Sequence, residues 1–230
     1  MMLGVGWALL DARIGENRTH KHIAHQVSLA LDDRVSIGNG QTMDLRCGEA
    51  ALIPAGTVHR VGPSGAMLRN LYVDPLFRGQ RDIAQTAGPK RLPATEAAAL
   101  ALVRSGGDAR KWVADFLQRK SSGWIDHRLH SALGCVEPGA SPARLAEAVG
   151  VSTTRLREIT VRDFGVPTTK LLQWLQIQRA IEGLDQSHSL ASAAAAGGFS
   201  DQAHFTRRLV EWFGVTPSLG LAKIEIIIVR

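Results

Sequence analysis

The stretch GGFSDQAHFTRRLVEWFGVTP, residues 197–217, has a glycine corner with an apolar residue behind it, a polar run, and a closing Phe-Gly-Val-Thr-Pro. The same order of residues occurs once more upstream. The first copy runs Leu145-Ala146, Gly150-Val151, Leu156, then Phe164-Gly165-Val166-Pro167. The second runs Ala193-Ala194, Gly198-Phe199, Phe205, then Phe213-Gly214-Val215-Thr216-Pro217. In each, alanine stands four residues before the glycine, and a core residue stands eight before Phe-Gly-Val. The second copy has one extra residue in its turn and one before its last proline.

This spacing has a mechanical reading. Two short helices crossing steeply over a turn of ~3–4 residues leave room only for a small side chain where they touch. Ala146 and Ala194 fill that place. Gly150 and Gly198 supply the positive φ that the corner needs, and Val151 and Phe199 plug it from inside. Ser141-Pro142 reads as an N-cap followed by proline in the first helical turn, and Ser152 and Ser200 read as caps of the second helices. Helical periodicity turns Leu156 and Ile159, and in the second copy Phe205, Leu209 and Trp212, toward a core. The opposite faces then carry Thr153, Thr154, Arg157 and Glu158, and Gln202, Ala203, Thr206 and Arg207. The segment 170–184 joins the units as a helix. The pattern is that of two helix-turn-helix units.

Residues 141–217 resemble the DNA-binding domain of the AraC/XylS family of transcriptional regulators, most closely over 197–217. The resemblance implies seven helices and two reading helices that enter successive major grooves about one helical turn, ~34 Å, apart. The two exposed faces coincide with the family's base-reading positions. Arg157 and Arg207 suit guanine, Gln202 suits adenine, and Glu158 suits a cytosine amino group. Arg155, Arg208 and His204 are candidate phosphate contacts, with a packed role the alternative for His204. One position departs from the family pattern. Thr160 stands where a large apolar residue is usual, so the first reading helix is expected to be the looser one.

The first third reads as β structure. Val27, Leu29 and Leu31 alternate with small residues, Gly38-Asn39-Gly40 marks a turn, and 50–53 and 68–73 are apolar runs closed by Pro54-Ala55-Gly56 and Asp74-Pro75. Within it, Gly48-x5-Pro54-x-Gly56-x2-His59 resembles the second cupin motif, and His20-Lys21-His22-x3-Gln26 resembles the first, with Gln26 where metal-binding cupins carry glutamate. Pro63 replaces that motif's closing asparagine. The stretch 70–75 resembles the sensor domains of AraC-type regulators. His20, His22, Gln26 and His59 are therefore candidate metal or effector ligands. Imidazole suits a divalent transition metal. Simple alternation, however, puts His25 rather than His22 in phase with Val27, so His20 and His22 face inward only if a bulge intervenes. A barrel that keeps motif remnants around an organic ligand is the alternative.

These pieces give an α+β, two-domain chain. A small cupin-like β-barrel or sandwich, the effector sensor, spans 1–77. A linker and helical, potentially dimerising segment spans 78–122, with the domain boundary at 78–92. The double helix-turn-helix spans 123–220, and an apolar tail, KIEIIIVR, closes the chain without fitting either half. Composition agrees with a globular chain: of 230 residues, 45% are hydrophobic and 21% charged. The net charge of +6 is spread evenly, +2 in each of 1–90, 91–140 and 141–223, so charge alone does not locate a nucleic-acid surface. Two cysteines exclude a secreted disulfide scaffold. The first residues make a poor signal peptide, and a cytoplasmic place is expected.

The expected function is an AraC-type, non-enzymatic transcription regulator that answers a small molecule or metal. Its expected partners are double-stranded DNA, an effector, a second copy of itself and RNA polymerase, with no membrane. Two alternatives stay open: a metal-dependent cupin enzyme with a helical appendage, and an adaptor that has lost DNA binding and works by protein contact.

Overall fold

A computed structural model of the chain describes residues 2–4, 6–14, 19–32, 34–73, 88–120, 127–187, 189–213 and 227–229. The β half holds β1 (Met2–Gly4), β2 (Trp7–Arg13), β3 (His25–Ala30), β4 (Val35–Asn39), β5 (Gln41–Leu45), β6 (Ala50–Ile53), β7 (Arg60–Gly62), β8 (Met67–Val73), β9 (Lys90–Arg91) and β10 (Ile227–Val229). They form a seven-stranded sheet, β10-β1-β2-β8-β3-β6-β9, and a three-stranded sheet, β5-β4-β7. Ile37, Leu45, Val61, Ala30, Ile53 and Leu68 fill the space between the sheets. The turn at 38–40 closes the β4–β5 hairpin, with Asn39 paired to Gln41. Within the apolar tail, Ile227–Val229 pairs at the sheet edge, where β10 lies parallel to β1.

Two helices cover the other face of the large sheet: α1 (Ala94–Ala101) and α2 (Gly106–Lys120). Ala109, Trp112, Val113, Phe116 and Leu117 of α2 are all buried against Trp7, Val27, Leu29 and Leu71. The apolar stripe of α2, which lies within the potentially dimerising segment 78–122, is thus buried inside the chain. Arg69 of β8 ties the layers together. It makes a bidentate pair with Asp11, both bonds 2.7 Å, and donates to the carbonyls of Leu100, Ala101 and Val103 at the end of α1. A buried guanidinium thus caps a helix C-terminus, sharing the Ala101 and Val103 carbonyls with the Arg104 side chain.

The helical half holds α3 (His127–Cys135), α4 (Pro142–Val149), α5 (Thr153–Phe164), α6 (Thr168–Ser187), α7 (Leu190–Ala196) and α8 (Gln202–Phe213). Its core of Leu145, Leu156, Phe164, Leu171, Trp174, Ile177 and Phe205 continues onto Ile23, Ala24, Ala55 and Tyr72 of the β half, so the two halves share one apolar seam. No described helix is long and apolar enough to cross a membrane.

Candidate functional site

The duplicated corner is the same in both copies at the level of hydrogen bonds. In the first, Val151 N–H donates to Ala146 C=O (3.0 Å) and Gly150 N–H to Glu147 C=O (3.1 Å). In the second, Phe199 N–H donates to Ala194 C=O (2.9 Å) and Gly198 N–H to Ala195 C=O (3.0 Å). The glycines lie at φ 75° and 73°. These are the closing bonds of a helix that ends on a left-handed residue. Ala146 and Ala194 are buried at the crossings. The second unit also lies close against α6. A Cβ on Gly197 would stand 2.5 Å from Gln176 O and 2.8 Å from Ala180 Cβ, and one on Gly183 would stand 2.6 Å from Ala196 Cβ.

The helix starts follow the expected chemistry with one shift. Ser141 Oγ accepts from Arg144 N, and Ser152 Oγ accepts from Arg155 N at 3.1 Å. In the second unit the cap is Asp201 rather than Ser200. Asp201 Oδ1 accepts from His204 N at 2.6 Å, while Ser200 Oγ reaches Asp201 and His204 Nδ1. The extra residue in the second turn moves the cap along by one. The bond from His204 N–H, ahead of all other causes, holds the Asp201 carboxyl below its ordinary 3.8.

Both reading helices turn the expected faces outward. Thr153, Thr154, Arg155, Arg157 and Glu158 are exposed on α5, as are Gln202, Ala203 and Arg207 on α8, with Thr206 and Arg208 half-buried. Leu156, Ile159, Phe205 and Leu209 are buried beneath them. The Trp212 side chain and residues 214–217 lie outside the described residues. Arg155 and Glu158 pair with each other at 2.8 Å. Both side chains are 57% exposed, so the pair contributes little and opens readily. His204 is half-buried and stands edge-on to Phe199. Thr160 is fully buried, and its Oγ1 bonds the Thr168 hydroxyl at 3.0 Å and Arg157 C=O at 3.0 Å. The expected looseness of the first reading helix is thus replaced by a polar tie to α6.

In the β half, His20, His22 and His59 converge, each offering a ring nitrogen within 4.8 Å of the others. His20 and His59 are paired across a β-bridge, His20 N–H to His59 C=O at 2.9 Å and the reverse at 2.8 Å. This sets the two rings side by side. A bend at 23–24, not a bulge, separates His22 from β3 and frees it from that strand's alternation. His25 is left out of the cluster, and its Nδ1 accepts from Ala55 N. Gln26 joins it, with Oε1 2.5 Å from His22 Nε2. Burial, the largest cause, lowers His22 to about 4 and His59 to about 3, so both rings are neutral at pH 7.

Beside this cluster a cavity of about 280 Å³ opens between the halves. Lys21, His22, Ile23 and Gly56 line it from the β side, and Gly165, Val166, Pro167, Thr169 and Lys170 from the α5–α6 turn. Of these only His22 was expected at a site. Lys21 and Lys170 are remote in the chain, and no local spacing links them.

Residues 145–219 match a family model described as a helix-turn-helix domain. Among curated protein sequences none matches the chain. Three solved structures of ToxT from Vibrio cholerae share the fold. One, in a P21 crystal form, aligns over 93% of this chain and 97% of its own with a TM-score of 0.55 at 10% identity. A second, bound to an unsaturated fatty acid, aligns over 92% of each chain with a TM-score of 0.59 at 11% identity. A third, bound to (E)-4-(8-methylnaphthalen-1-yl)but-3-enoic acid, aligns over 93% and 97% with a TM-score of 0.54 at 9% identity. The repeated corner, the outward faces of α5 and α8 and these likenesses converge: the chain carries an AraC-type helix-turn-helix domain, the module of a DNA-binding transcription regulator, joined to a β domain in the two-domain fold it shares with ToxT.

Proposed function

We propose that the chain is a sequence-specific, ligand-responsive transcription regulator. Its reading helices α5 and α8 take two successive major-groove half-sites. Arg157, Arg207, Gln202, Glu158, Thr153, Thr154, Ala203 and Thr206 face base edges, while Arg155, Arg208 and His204 set register on phosphates. The observation that carries this reading is the hydrogen-bond-for-hydrogen-bond duplication of the corner, which supports two equivalent reading helices in one chain.

The ligand site supported best is the cavity between the halves. Lys21 and Lys170 offer positive charge, and Ile23, Val166 and Pro167 offer apolar wall. That combination suits a carboxylate with an apolar body, and carboxylic acids are what two of the ToxT structures hold. A ligand acts only by preferring one arrangement of the two halves over another. A homodimer and contact with RNA polymerase belong to the same proposal, with self-association through a face other than the buried stripe of α2.

The test is fluorescence anisotropy on the intergenic DNA that flanks the gene. Sequence-selective binding that weakens with salt is expected. Arg157→Ala and Arg207→Ala should each lose ~1–3 kcal/mol of discrimination at separate half-sites. Equal binding to scrambled DNA, or unchanged binding by both variants, overturns the reading. Lys21→Ala with Lys170→Ala should abolish any shift produced by an unsaturated fatty acid.

A further inference from the structure

The two helix-turn-helix units match bond for bond at their corners and differ beneath their reading helices. Thr160 of α5 stands where α8 carries Leu209, each four residues after the core residue Leu156 or Phe205. Both are buried. Leu209 can hold its helix only by apolar contact. Thr160 holds α5 by two hydrogen bonds, and their direction is fixed. Its hydroxyl donates to Arg157 C=O at 3.0 Å. A carbonyl only accepts, so that bond uses the single proton of Thr160, and the Thr168 hydroxyl, 3.0 Å away, donates to Thr160 Oγ1. Thr168 is buried too. A hydroxyl bonded back to a carbonyl of the preceding turn tends to bend its helix there. The carbonyl concerned is that of Arg157, whose exposed side chain lies on the base-reading face.

The other end of this pair of bonds lies at the cavity between the halves. Thr168 opens α6, and its neighbours Pro167 and Thr169 both line that cavity. Every lining residue from the helical half falls in 165–170, and none comes from α7 or α8. The β half also rests on this turn, where a Cβ on Gly56 would stand 3.3 Å from Gly165 O. Gly165 is the left-handed cap that ends α5. The corner of the second unit is seated elsewhere. Gly197 packs on Gln176 and Ala180, and Gln176 lies eight residues, about 12 Å, beyond Thr168 along α6.

We propose that Thr168 and Thr160 are positioning residues that set the aim of Arg157, and that through them an occupant of the cavity alters reading by α5 and leaves reading by α8 unchanged. This deepens the regulator reading and rests on it. The contacts run from the cavity wall to Thr168, from its hydroxyl to Thr160, and from Thr160 to the backbone of Arg157. The second unit has no counterpart, because the leucine side chain at 209 neither donates nor accepts a hydrogen bond. One chain thus reads two half-sites and adjusts only one of them.

The test is fluorescence anisotropy of the full chain on duplexes of the flanking intergenic DNA. Arg157→Ala and Arg207→Ala assign the half-sites: a base-pair change that costs the native chain but not the variant marks the half-site which that arginine reads. Thr160→Val with Thr168→Val removes both hydroxyls together, keeps the side-chain volume and strands neither partner. It should lose about fivefold or more in discrimination at the α5 half-site and stay within about twofold of the native chain at the α8 half-site. Thr160→Ser, which keeps the hydroxyl, should retain native discrimination. A merely structural tie would weaken both half-sites alike. The cavity probe is the (E)-4-(8-methylnaphthalen-1-yl)but-3-enoic acid that one ToxT structure holds, its binding read by calorimetry. In the native chain the acid should shift affinity for duplexes whose α8 half-site is scrambled and leave unchanged those whose α5 half-site is scrambled. The double variant should still bind the acid and lose the shift. Discrimination that is unchanged in the double variant, or reduced equally at both half-sites, overturns the positioning role. Failure of the acid to bind, an equal shift at both half-sites, or a shift that survives in the double variant overturns the link to the cavity. A native chain that selects neither half-site sinks the regulator reading and this one with it, whereas failure confined to the variants or to the acid sinks this one alone.

Discussion

Replacing Gly197 by alanine separates packing from backbone conformation at the second helix-turn-helix. Gly197 ends α7 at φ −78° and ψ −6°, a conformation alanine adopts freely. Space is what it lacks. The new methyl would meet Gln176 O at 2.5 Å, Ala180 Cβ at 2.8 Å and Phe199 Cε2 at 2.9 Å. The first two neighbours belong to the α6 helix and cannot swing aside, so α7 must lift by several tenths of an ångström. Overpacking of this kind costs about 1–3 kcal/mol, and the two rigid neighbours place it near the top of that range. Gly150→Ala is the contrasting case. Nothing lies within 4 Å of its added Cβ, but φ is 75°, so it costs the left-handed strain alone, about 1 kcal/mol. At ~2–4 °C per kcal/mol for a chain of this size, Gly197→Ala should melt ~6–12 °C lower and Gly150→Ala ~2–4 °C lower, read by circular dichroism on the full chain. Because α7 carries the corner that orients α8, Gly197→Ala should also lose contacts at one DNA half-site and keep those of α5 at the other. Equal melting losses in the two variants would refute the claim that close approach to α6, rather than glycine's backbone freedom, sets Gly197.

Three other outcomes are expected. Arg69→Ala leaves Asp11 without its bidentate partner and takes one buried donor from the carbonyls of Leu100, Ala101 and Val103, so it should cost ~1–3 kcal/mol in urea denaturation, with Arg69→Lys recovering only part. Thr160→Val should cost ~1–3 kcal/mol by stranding the buried Thr168 hydroxyl, whereas Thr160→Val with Thr168→Val should cost less than the single change; additive losses in that double-mutant cycle would exclude the tie. Asp201→Ala should lower the melting temperature through the lost cap, while Asp201→Asn keeps an accepting oxygen. The Asp201 carboxyl sits below its unfolded value of 3.8, so its charge stabilises the fold above that pH. The advantage of the native chain over Asp201→Asn should therefore fade as pH falls through 3.8 and below, and an advantage that grows on acidification would contradict the assignment.

What the sequence determined by itself is what acts over short spans. Turn chemistry and helical period are local, so Ala146-x3-Gly150 and Ala194-x3-Gly198 were enough to give both corners, both outward faces and the buried set Leu156, Ile159, Phe205 and Leu209. The cap at Asp201 was misplaced by one residue, since a single inserted position in a turn leaves either Ser200 or Asp201 able to cap. The histidines were legible as a set from their motifs, but not their convergence: alternation argued against His22, and only the bend at 23–24 and the His20–His59 bridge turn both rings inward. Tertiary structure alone decided contacts between remote residues. Packing against the large sheet buried the apolar stripe of α2, and pairing with β1 gave Ile227–Val229 a partner. Docking of the two halves set Gly56 on Gly165 and drew Lys21 and Lys170 around one cavity. Such contacts leave no periodic trace, because the residues on either side satisfy their own local geometry first and meet only when the whole chain has closed.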